Sequence, residues 1–166
     1  MKRLILMRHA KSDWSSGATS DHDRPLNARG RRSAAALGEF LRENDFLPDQ
    51  VLCSSAERTG ETLLRLKLPE SAKVTFTRNL YLASHHDILT ALRRATGHCV
   101  LMMGHNPGIG IAASEILTAP PTSSPGFDKY PTGATLVADF DIDDWGQADW
   151  GTANARHFVV PRDLER

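Results

Sequence analysis

The feature that most constrains the fold is a short apolar run near the start of the chain, Leu4 to Met7, which Arg8 and His9 follow at once. Four apolar residues between charged neighbours are typical of a strand that is buried on both faces, as in a parallel sheet. Ligands of open α/β sheets bind just beyond the carboxyl ends of such strands. The sequence therefore predicts that Arg8 and His9 lie at the ligand-binding edge of an α/β fold.

Strands and helices are predicted to alternate along most of the chain. Asn27 and Ser84 are suited to cap the first and third helices, and Ser54 or Ser55 is suited to cap the second. Pro107 suits the first turn of the fourth helix. Such alternation is typical of a mainly parallel sheet. The predicted strands are 4–7, 50–54, 74–77 and 99–103, and the predicted helices cover 27–43 and 55–67 and begin near 84 and 107.

The pattern changes after a proline-rich loop at 120–131. Apolar residues from Leu136 to Ile142 alternate mostly with aspartates, which indicates a strand with one exposed face, and Arg156 to Val160 would return as the second strand of a hairpin. The aspartates are Asp139, Asp141, Asp143 and Asp144. An exposed strand face explains them better than a cation site. We expect one three-layer α/β/α domain, 1–166, whose mainly parallel sheet has an antiparallel C-terminal edge hairpin.

The composition excludes several classes of protein. Lysine plus arginine and aspartate plus glutamate both number 20, so the broad basic surface of a nucleic-acid-binding protein is missing. Cys53 and Cys99 lie in apolar runs and are too few for a disulfide framework, which fits a reducing compartment. No stretch approaches the roughly 18–20 apolar residues of a membrane span, and the N-terminal run is too short for a signal peptide. We expect a cytoplasmic protein with no nucleic-acid or membrane partner.

Four cationic or cationisable side chains follow the predicted strands at their carboxyl ends. Arg8 and His9 follow the first strand, Arg58 lies just after the second, and His105 follows the fourth. A parallel sheet brings these ends to one edge. Guanidiniums match phosphate oxygens, and imidazoles add donors or a nucleophilic nitrogen. No carboxylate belongs to this tetrad and the arginines would repel a metal cation, so a phosphate site is favoured over a metal site.

The residues around the tetrad resemble the three core motifs of the histidine phosphatase superfamily, which has the phosphoglycerate-mutase-like fold. These motifs are Leu6-Met7-Arg8-His9-Ala10 with Lys11-Ser12-Asp13-Trp14, Ser54-Ser55-Ala56-Glu57-Arg58-Thr59 with Glu61-Thr62, and Gly104-His105-Asn106-Pro107-Gly108. Asp23-Arg24-Pro25-Leu26, Gly30, the run at 131–134 and the short length resemble the compact branch of SixA-like phosphohistidine phosphatases. The resemblance spans nearly the whole chain.

The resemblance implies a role for each member of the tetrad. His9 would be the nucleophile that forms a phosphohistidine intermediate, while Arg8, Arg58 and His105 hold the phosphoryl oxygens. Phosphoryl transfer needs mostly positioning and charge neutralisation, so neither a metal nor another cofactor is expected. His9 must be neutral to attack, and the flanking guanidiniums disfavour its protonation.

The sequence departs from the pattern of the superfamily at two places. Phosphomonoesterase members carry an acidic residue, usually Glu, between the second and third motifs as general acid, whereas the only carboxylate from 71 to 87 is Asp87. Asp87 is therefore the candidate general acid, with His85 and His86 as further candidates. Mutase-like members place Asn after the Trp, where this chain has Ser15. Ser15 and Arg24 are further candidates for binding phosphate.

Three functions are open at this point. A phosphohistidine phosphatase that acts on proteins is favoured, because the leaving imidazole, with a pKa near ~6.5, needs little help from an acid. The spacings between motifs also leave no room for a large lid. A phosphatase of small phosphomonoesters is the first alternative, and a non-catalytic phosphate- or phosphoprotein-binding module is the second, although the intact tetrad argues against it. The expected partner is a phosphorylated protein or a small phosphorylated substrate.

Overall fold

The computed structural model describes residues 1–165, which form a six-stranded mixed sheet between two layers of helices. The strands are β1 Lys2–Arg8, β2 Gln50–Ser54, β3 Lys73–Thr77, β4 Cys99–Gly104, β5 Thr135–Phe140 and β6 Asn154–Val159. They lie in the order β3-β2-β4-β1-β5-β6. The first four strands of that order are parallel, and β5 and β6 add two antiparallel pairings. The predicted parallel sheet with an antiparallel C-terminal edge hairpin is confirmed.

Two helices cover each face of this sheet. They are α1 Ala28–Glu43 and α2 Glu57–Leu66 on one face, and α3 His85–Leu92 and α4 Gly108–Ile116 on the other. Alternate residues of β1 divide between the two cores, because Leu4 and Leu6 pack towards α3 and α4 while Ile5 and Met7 pack towards α1 and α2. All four side chains are at most 1% exposed. The three-layer α/β/α architecture is confirmed.

Helix capping follows the sequence at two of the three predicted positions. Asn27 Oδ1 and Ser84 Oγ each accept the backbone N–H of the third residue of the helix that follows. The third prediction is wrong, because Ala56 precedes α2 and no side chain caps that helix. Neither Ser54 nor Ser55 takes the capping role. The hydroxyl of Ser54 is fully buried at the end of β2 and contacts an imidazole of the site described below.

The C-terminal strand β5 departs from the prediction of one exposed face. Leu136, Val137 and Ala138 are all fully buried, because β5 lies between β1 and β6 and both cores cover it. Asp139 pairs with Arg3, with a nitrogen–oxygen distance of 2.7 Å, and the other three aspartates lie beyond the end of the strand. Within residues 1–165, no group of three or more His, Cys, Asp or Glu side chains is arranged to hold a metal ion.

The cysteines are part of the apolar core, as their sequence context predicts. Cys53 and Cys99 are buried and free, and both belong to the core between the sheet, α1 and α2. Burial raises the pKa of both thiols to about 12. Across residues 1–165, every helix is too short or too polar to cross a lipid bilayer.

Candidate active site

The parallel pairing of β1 with β4 places two histidines side by side. Arg8 at the end of β1 pairs with Gly104 at the end of β4, so His9 and His105 leave the sheet at the same edge. The backbone N–H of His9 donates to the oxygen of Gly104 at 3.1 Å. The centroids of the two imidazole rings are 5.3 Å apart. The residues after the strands therefore meet as the topology predicts.

Arg58 reaches the same edge from the first turn of α2. Strand β2 lies next to β4, and α2 begins three residues after β2 ends, so the side chain of Arg58 enters the interior and is only 3% exposed. All four tetrad residues line one cavity of about 530 Å³, which we call the tetrad pocket. Its lining consists of Arg8, His9, Lys11, Ser12, Trp14, Asp21, Arg24, Arg58, Leu82, His105, Asn106, Pro131 and Thr132.

The imidazole of His9 is held in the form that a nucleophile needs. Its Nδ1 lies 2.6 Å from the carbonyl oxygen of Ala10, which can only accept, so Nδ1 carries the proton and Nε2 keeps a free lone pair. Burial, with smaller contributions from His105, Arg58 and Arg8, lowers the pKa of His9 to about 3, against the contact with Ala10, which raises it. His9 is therefore neutral at physiological pH.

Three buried polar atoms of the tetrad have no hydrogen-bond partner within residues 1–165. They are Arg8 Nε, Arg58 Nε and His105 Nδ1. Buried polar groups are nearly always paired, and an unpaired one costs about 1–3 kcal/mol. All three belong to side chains that line the same cavity as His9. An anion with several oxygens would supply the missing acceptors.

The contact between His105 and Ser54 holds the imidazole of His105 in the wall of the pocket. Ser54 Oγ accepts the backbone N–H of Ala56 at 3.3 Å and lies 2.8 Å from His105 Nε2. With the hydroxyl donating to Nε2, the proton of the neutral imidazole resides on the unpartnered Nδ1. Burial and the charge of Arg58 lower the pKa of His105 to about 3, so the ring is neutral. Ser54 thereby orients the imidazole of His105 instead of capping a helix.

The two guanidiniums of the pocket lie close enough to disturb one another. Burial lowers the pKa of Arg8, and the positive charge of Arg58 lowers it further. Arg8 Nη1 donates to the carbonyl oxygen of Tyr130 at 3.1 Å, which fixes the direction of that side chain. A bound anion would relieve the repulsion between the two cations. The electrostatics therefore agree with the hydrogen-bond geometry in favouring phosphate.

Comparison with known proteins identifies the family. Residues 4–81 match the family model described as the histidine phosphatase superfamily, branch 1. A provisionally assigned phosphohistidine phosphatase SixA from Nakamurella multipartitia is 30% identical, and its structure matches 96% of each chain with a TM-score of 0.83. The chain belongs to the histidine phosphatase superfamily.

Two further relatives extend this result. An uncharacterized protein of Mycobacterium tuberculosis is 32% identical over 94% of this chain and over its own full length. The structure of the protein histidine phosphatase SixA complexed with tungstate has 22% identity and a TM-score of 0.75, and the match covers 98% of this chain and 99% of that one. This second match shows that the two proteins share a fold. The predicted resemblance to the superfamily and to SixA proteins is confirmed.

Asp21 is the residue of this histidine phosphatase pocket that the sequence analysis missed. It begins a short 3-10 helix, Asp21–Asp23, and its Oδ2 accepts Arg58 Nη2 at 3.0 Å and the hydroxyl of Tyr81. Its Oδ1 accepts Arg24 Nε at 3.1 Å, and its carbonyl oxygen accepts Arg58 Nη1 at 2.8 Å. The hydrogen bonds from Tyr81 and the two arginines hold the pKa of Asp21 far below its usual range. Asp21 is ionised and fixes the guanidinium of Arg58.

Arg24 lies in the wall of the pocket, where the sequence analysis expects a phosphate-binding residue. Its Nη1 donates to Ser12 Oγ at 2.7 Å, and its guanidinium carbon lies 3.5 Å from the ring centroid of Trp14. The indole of Trp14 covers that guanidinium and is itself 81% exposed. Direct contact between Arg24 and phosphate stays a prediction, since one of its nitrogens already binds Asp21.

The structure does not bring Ser15 or Asp87 into the tetrad pocket. Ser15 is exposed, and its N–H and hydroxyl both donate to Asp13 Oδ1, at 2.7 and 2.9 Å. Asp87 is exposed in the first turn of α3 and lines a neighbouring cavity. The rings of His85 and His86 contact each other, with centroids 4.0 Å apart, and are not among the pocket's lining residues. No general acid from the 71–87 segment therefore lines the pocket.

Proposed function

We propose that this histidine phosphatase hydrolyses phosphohistidine on proteins, without a metal and through a phosphohistidine intermediate on His9. The observation that carries the proposal is the combination of a neutral His9 with a free Nε2 and three unpartnered donors on Arg8, Arg58 and His105. A phosphoryl group that approached Nε2 would supply the acceptors those donors lack. The similarity to SixA proteins over nearly the whole chain supports the same substrate class.

The proposed reaction has two displacements at phosphorus. In the first, the lone pair of His9 Nε2 attacks phosphorus while the bond between phosphorus and the substrate nitrogen breaks. The other ring nitrogen of the substrate carries a proton taken from solvent, so the electron pair of the broken bond stays on a leaving group that is neutral imidazole. In the second, water attacks the phosphoryl group on His9, the bond to Nε2 breaks, and inorganic phosphate leaves. Arg8, Arg58 and His105 neutralise the charge on the oxygens in both steps.

The state of Asp21 favours a phosphorus–nitrogen bond over a phosphate ester. Asp21 is the one carboxylate that lines the tetrad pocket in the described part of the chain, and its hydrogen bonds to Arg58, Arg24 and Tyr81 keep it ionised. It therefore has no proton to give to a leaving group. An alkoxide needs that proton far more than a neutral imidazole does, because the conjugate acid of imidazole has a pKa of about 6.5.

The rim of the pocket supports a protein substrate. Trp14 and Leu82 line the pocket and are 81% and 55% exposed, so a side chain that projects from another protein could approach Nε2. Small phosphomonoesters are the second candidate, because the cavity of about 530 Å³ exceeds the size of a phosphoryl group and would accommodate a small ester. The two candidates differ in the leaving group, and this difference can be measured.

Turnover of a substrate panel tests the proposal. The panel contains a phosphohistidine peptide, phosphoramidate, aryl phosphates of graded leaving-group pKa, and an alkyl phosphate, each with and without chelator. We expect kcat/KM for the phosphorus–nitrogen compounds to exceed that of the alkyl phosphate by at least about 10²-fold and to survive chelation, since no proton donor compensates for a poor leaving group.

Two outcomes of this panel would contradict the proposal. Equal turnover of alkyl phosphate and phosphohistidine, abolished for the ester by Asp87→Asn, would favour the small-ester phosphatase with Asp87 as its acid. Phosphate binding with no turnover of any compound would favour the non-catalytic module.

A further inference from the structure

A second cavity, which we call the side groove, lies beside the tetrad pocket. Its volume is about 570 Å³, and its walls come from β3, the segment at 78–84 and α3. Leu82 lines both cavities, and the neighbouring Tyr81 donates its hydroxyl hydrogen to Asp21 of the tetrad pocket. The two cavities therefore meet along one short piece of chain.

Leu82 forms the ridge between the two cavities in a conformation that leucine rarely adopts. Its φ is +50°, in the left-handed region, and its side chain is 55% exposed. The folded chain gains little from an apolar side chain in this position, since the side chain is half in solvent and its backbone is strained. Such residues cluster where a ligand is bound. A ligand that crosses from one cavity to the other would cover Leu82.

The path across this ridge is basic in a chain whose net charge is zero. The tetrad pocket is lined by three arginines, one lysine and one carboxylate. The side groove is lined by two arginines, Arg78 and Arg94, and one carboxylate, Asp87. Arg78 and Arg94 are exposed and have no carboxylate within 4 Å among residues 1–165. The side chains of Arg78 and Arg94 are thus available to an acidic partner.

We propose that the side groove docks the polypeptide segment that flanks the phosphorylated residue of the substrate, and that it selects an acidic segment. This inference rests on the proposed function, because the phosphorylated side chain must enter the tetrad pocket. The flanking segment would cross Leu82 and place its carboxylates near Arg78 and Arg94. The groove thereby supplies sequence preference to a pocket that by itself recognises only a phosphoryl group.

Binding and turnover of matched peptides test this inference. The peptides carry either phosphohistidine or a stable phosphotriazole analogue, and the flanking residues are acidic, neutral or basic. For the full-length protein we expect the acidic analogue peptide to bind about tenfold more tightly than the basic one at low salt, with a difference that shrinks as salt is raised. The double variant Arg78→Glu with Arg94→Glu should invert this preference. In the double variant, the loss in kcat/KM for the acidic phosphohistidine peptide should be about tenfold larger than the loss for phosphoramidate. The larger loss should come mainly from a higher KM.

A matched control and the binding readout separate the two proposals. Arg156 is an exposed arginine on β6, at the opposite edge of the sheet from β3, and Arg156→Glu should keep the wild-type preference. Equal affinity for acidic and basic analogue peptides, or equal losses for peptide and phosphoramidate in the double variant, would overturn the docking inference. A preference for acidic analogue peptides without turnover of phosphohistidine or phosphoramidate would overturn the proposed function and leave the docking inference standing.

Discussion

Polar groups at the two ends of the sheet differ in whether they have hydrogen-bond partners. At the amino ends of the strands, Asp49 and Gln50 each accept two hydrogen bonds from backbone N–H groups of residues 96–99, which lead into β4. These hydrogen bonds are 2.7–3.0 Å long. Arg3 and Asp139 form a two-bond ion pair at 2.7 and 3.1 Å. At the carboxyl ends, the tetrad leaves three buried polar atoms without a partner in the described chain.

We infer that this difference separates the part of the sheet that stabilises the fold from the part that binds a ligand. Paired polar groups at the amino ends stabilise the folded state, whereas the unpaired donors at the carboxyl ends cost free energy until an anion binds. Substitutions at the two ends should therefore have different effects. Those at the amino ends should change stability, and those at the carboxyl ends should change activity.

The largest expected contrast is between arginines at the two ends. Arg8→Lys and Arg58→Lys should each lower kcat/KM by about 10²-fold or more, because an ammonium cannot reproduce the donors of a guanidinium around a phosphoryl group. Arg3→Lys is the matched control at the amino end and should leave kcat/KM within about twofold while lowering the melting temperature. Steady-state kinetics on phosphoramidate measures kcat/KM for all three variants, and thermal unfolding measures the melting temperature. A loss under threefold at Arg8 or Arg58 would place that residue outside the reaction.

Inorganic phosphate should stabilise the protein by binding at the carboxyl ends of the strands and at no other place. At a concentration about 100 times its Kd, a ligand of the native state adds about 2.7 kcal/mol to the free energy of unfolding. Arg58→Ala should abolish most of this gain, and Arg3→Ala should keep it. Thermal unfolding over a phosphate titration provides the measurement. An equal gain in both variants would show that phosphate binds elsewhere.

Removing a paired acceptor at the amino end should affect stability only. Asp49→Ala leaves the N–H groups of His98 and Cys99 without their acceptor, which should cost about 1–3 kcal/mol of the free energy of unfolding. The kcat/KM per folded molecule should stay unchanged. Urea unfolding and kinetics on the same preparation check the two halves of this prediction. A drop in kcat/KM comparable to that of the tetrad variants would contradict the separation between the two ends.

A further expected effect is a change in the pH dependence of stability. The pKa of His9 is about 3 in the folded protein, against an ordinary value of 6.5, so between those values the unfolded state binds a proton that the native state does not. Stability from this group is fully present above pH 6.5 and falls on acidification by about 1.4 kcal/mol per pH unit. His9→Asn should flatten the slope between pH 6 and pH 4 by that amount. An unchanged slope would mean that His9 is not buried in its neutral form.

The sequence predicts the tetrad because Arg8, His9 and His105 directly follow apolar runs that are typical of buried strands, and Arg58 lies just after another such run. Parallel topology then brings Arg8, His9 and His105 to one edge, while their individual roles come from the resemblance to the histidine phosphatase superfamily. Asp21 has no such signal, since it lies in a polar loop without periodicity and its partners Arg58 and Tyr81 are 37 and 60 positions away. Its contacts depend on how that loop folds over the edge of the sheet.

The error at β5 has a different cause. The alternation that indicated an exposed face came largely from Asp141 and Asp143, which follow the strand's end at Phe140. The one aspartate within the strand, Asp139, is neutralised by Arg3 on the neighbouring strand β1. A local pattern could not reveal that pairing, because β1 and β5 are more than 120 positions apart. Burial of β5 follows from the strand order and not from its own residues.

Trapping the phosphorylated enzyme tests the central claim most directly. Wild-type protein is mixed with phosphoramidate, quenched in alkali, where a phosphohistidine survives, and mapped by mass spectrometry. The account predicts one phosphoryl group on His9 that acid removes, and neither label nor turnover in His9→Ala, whose kcat/KM should fall by at least about 10⁴-fold. Turnover that persists in His9→Ala, or a label on any other residue, would contradict it.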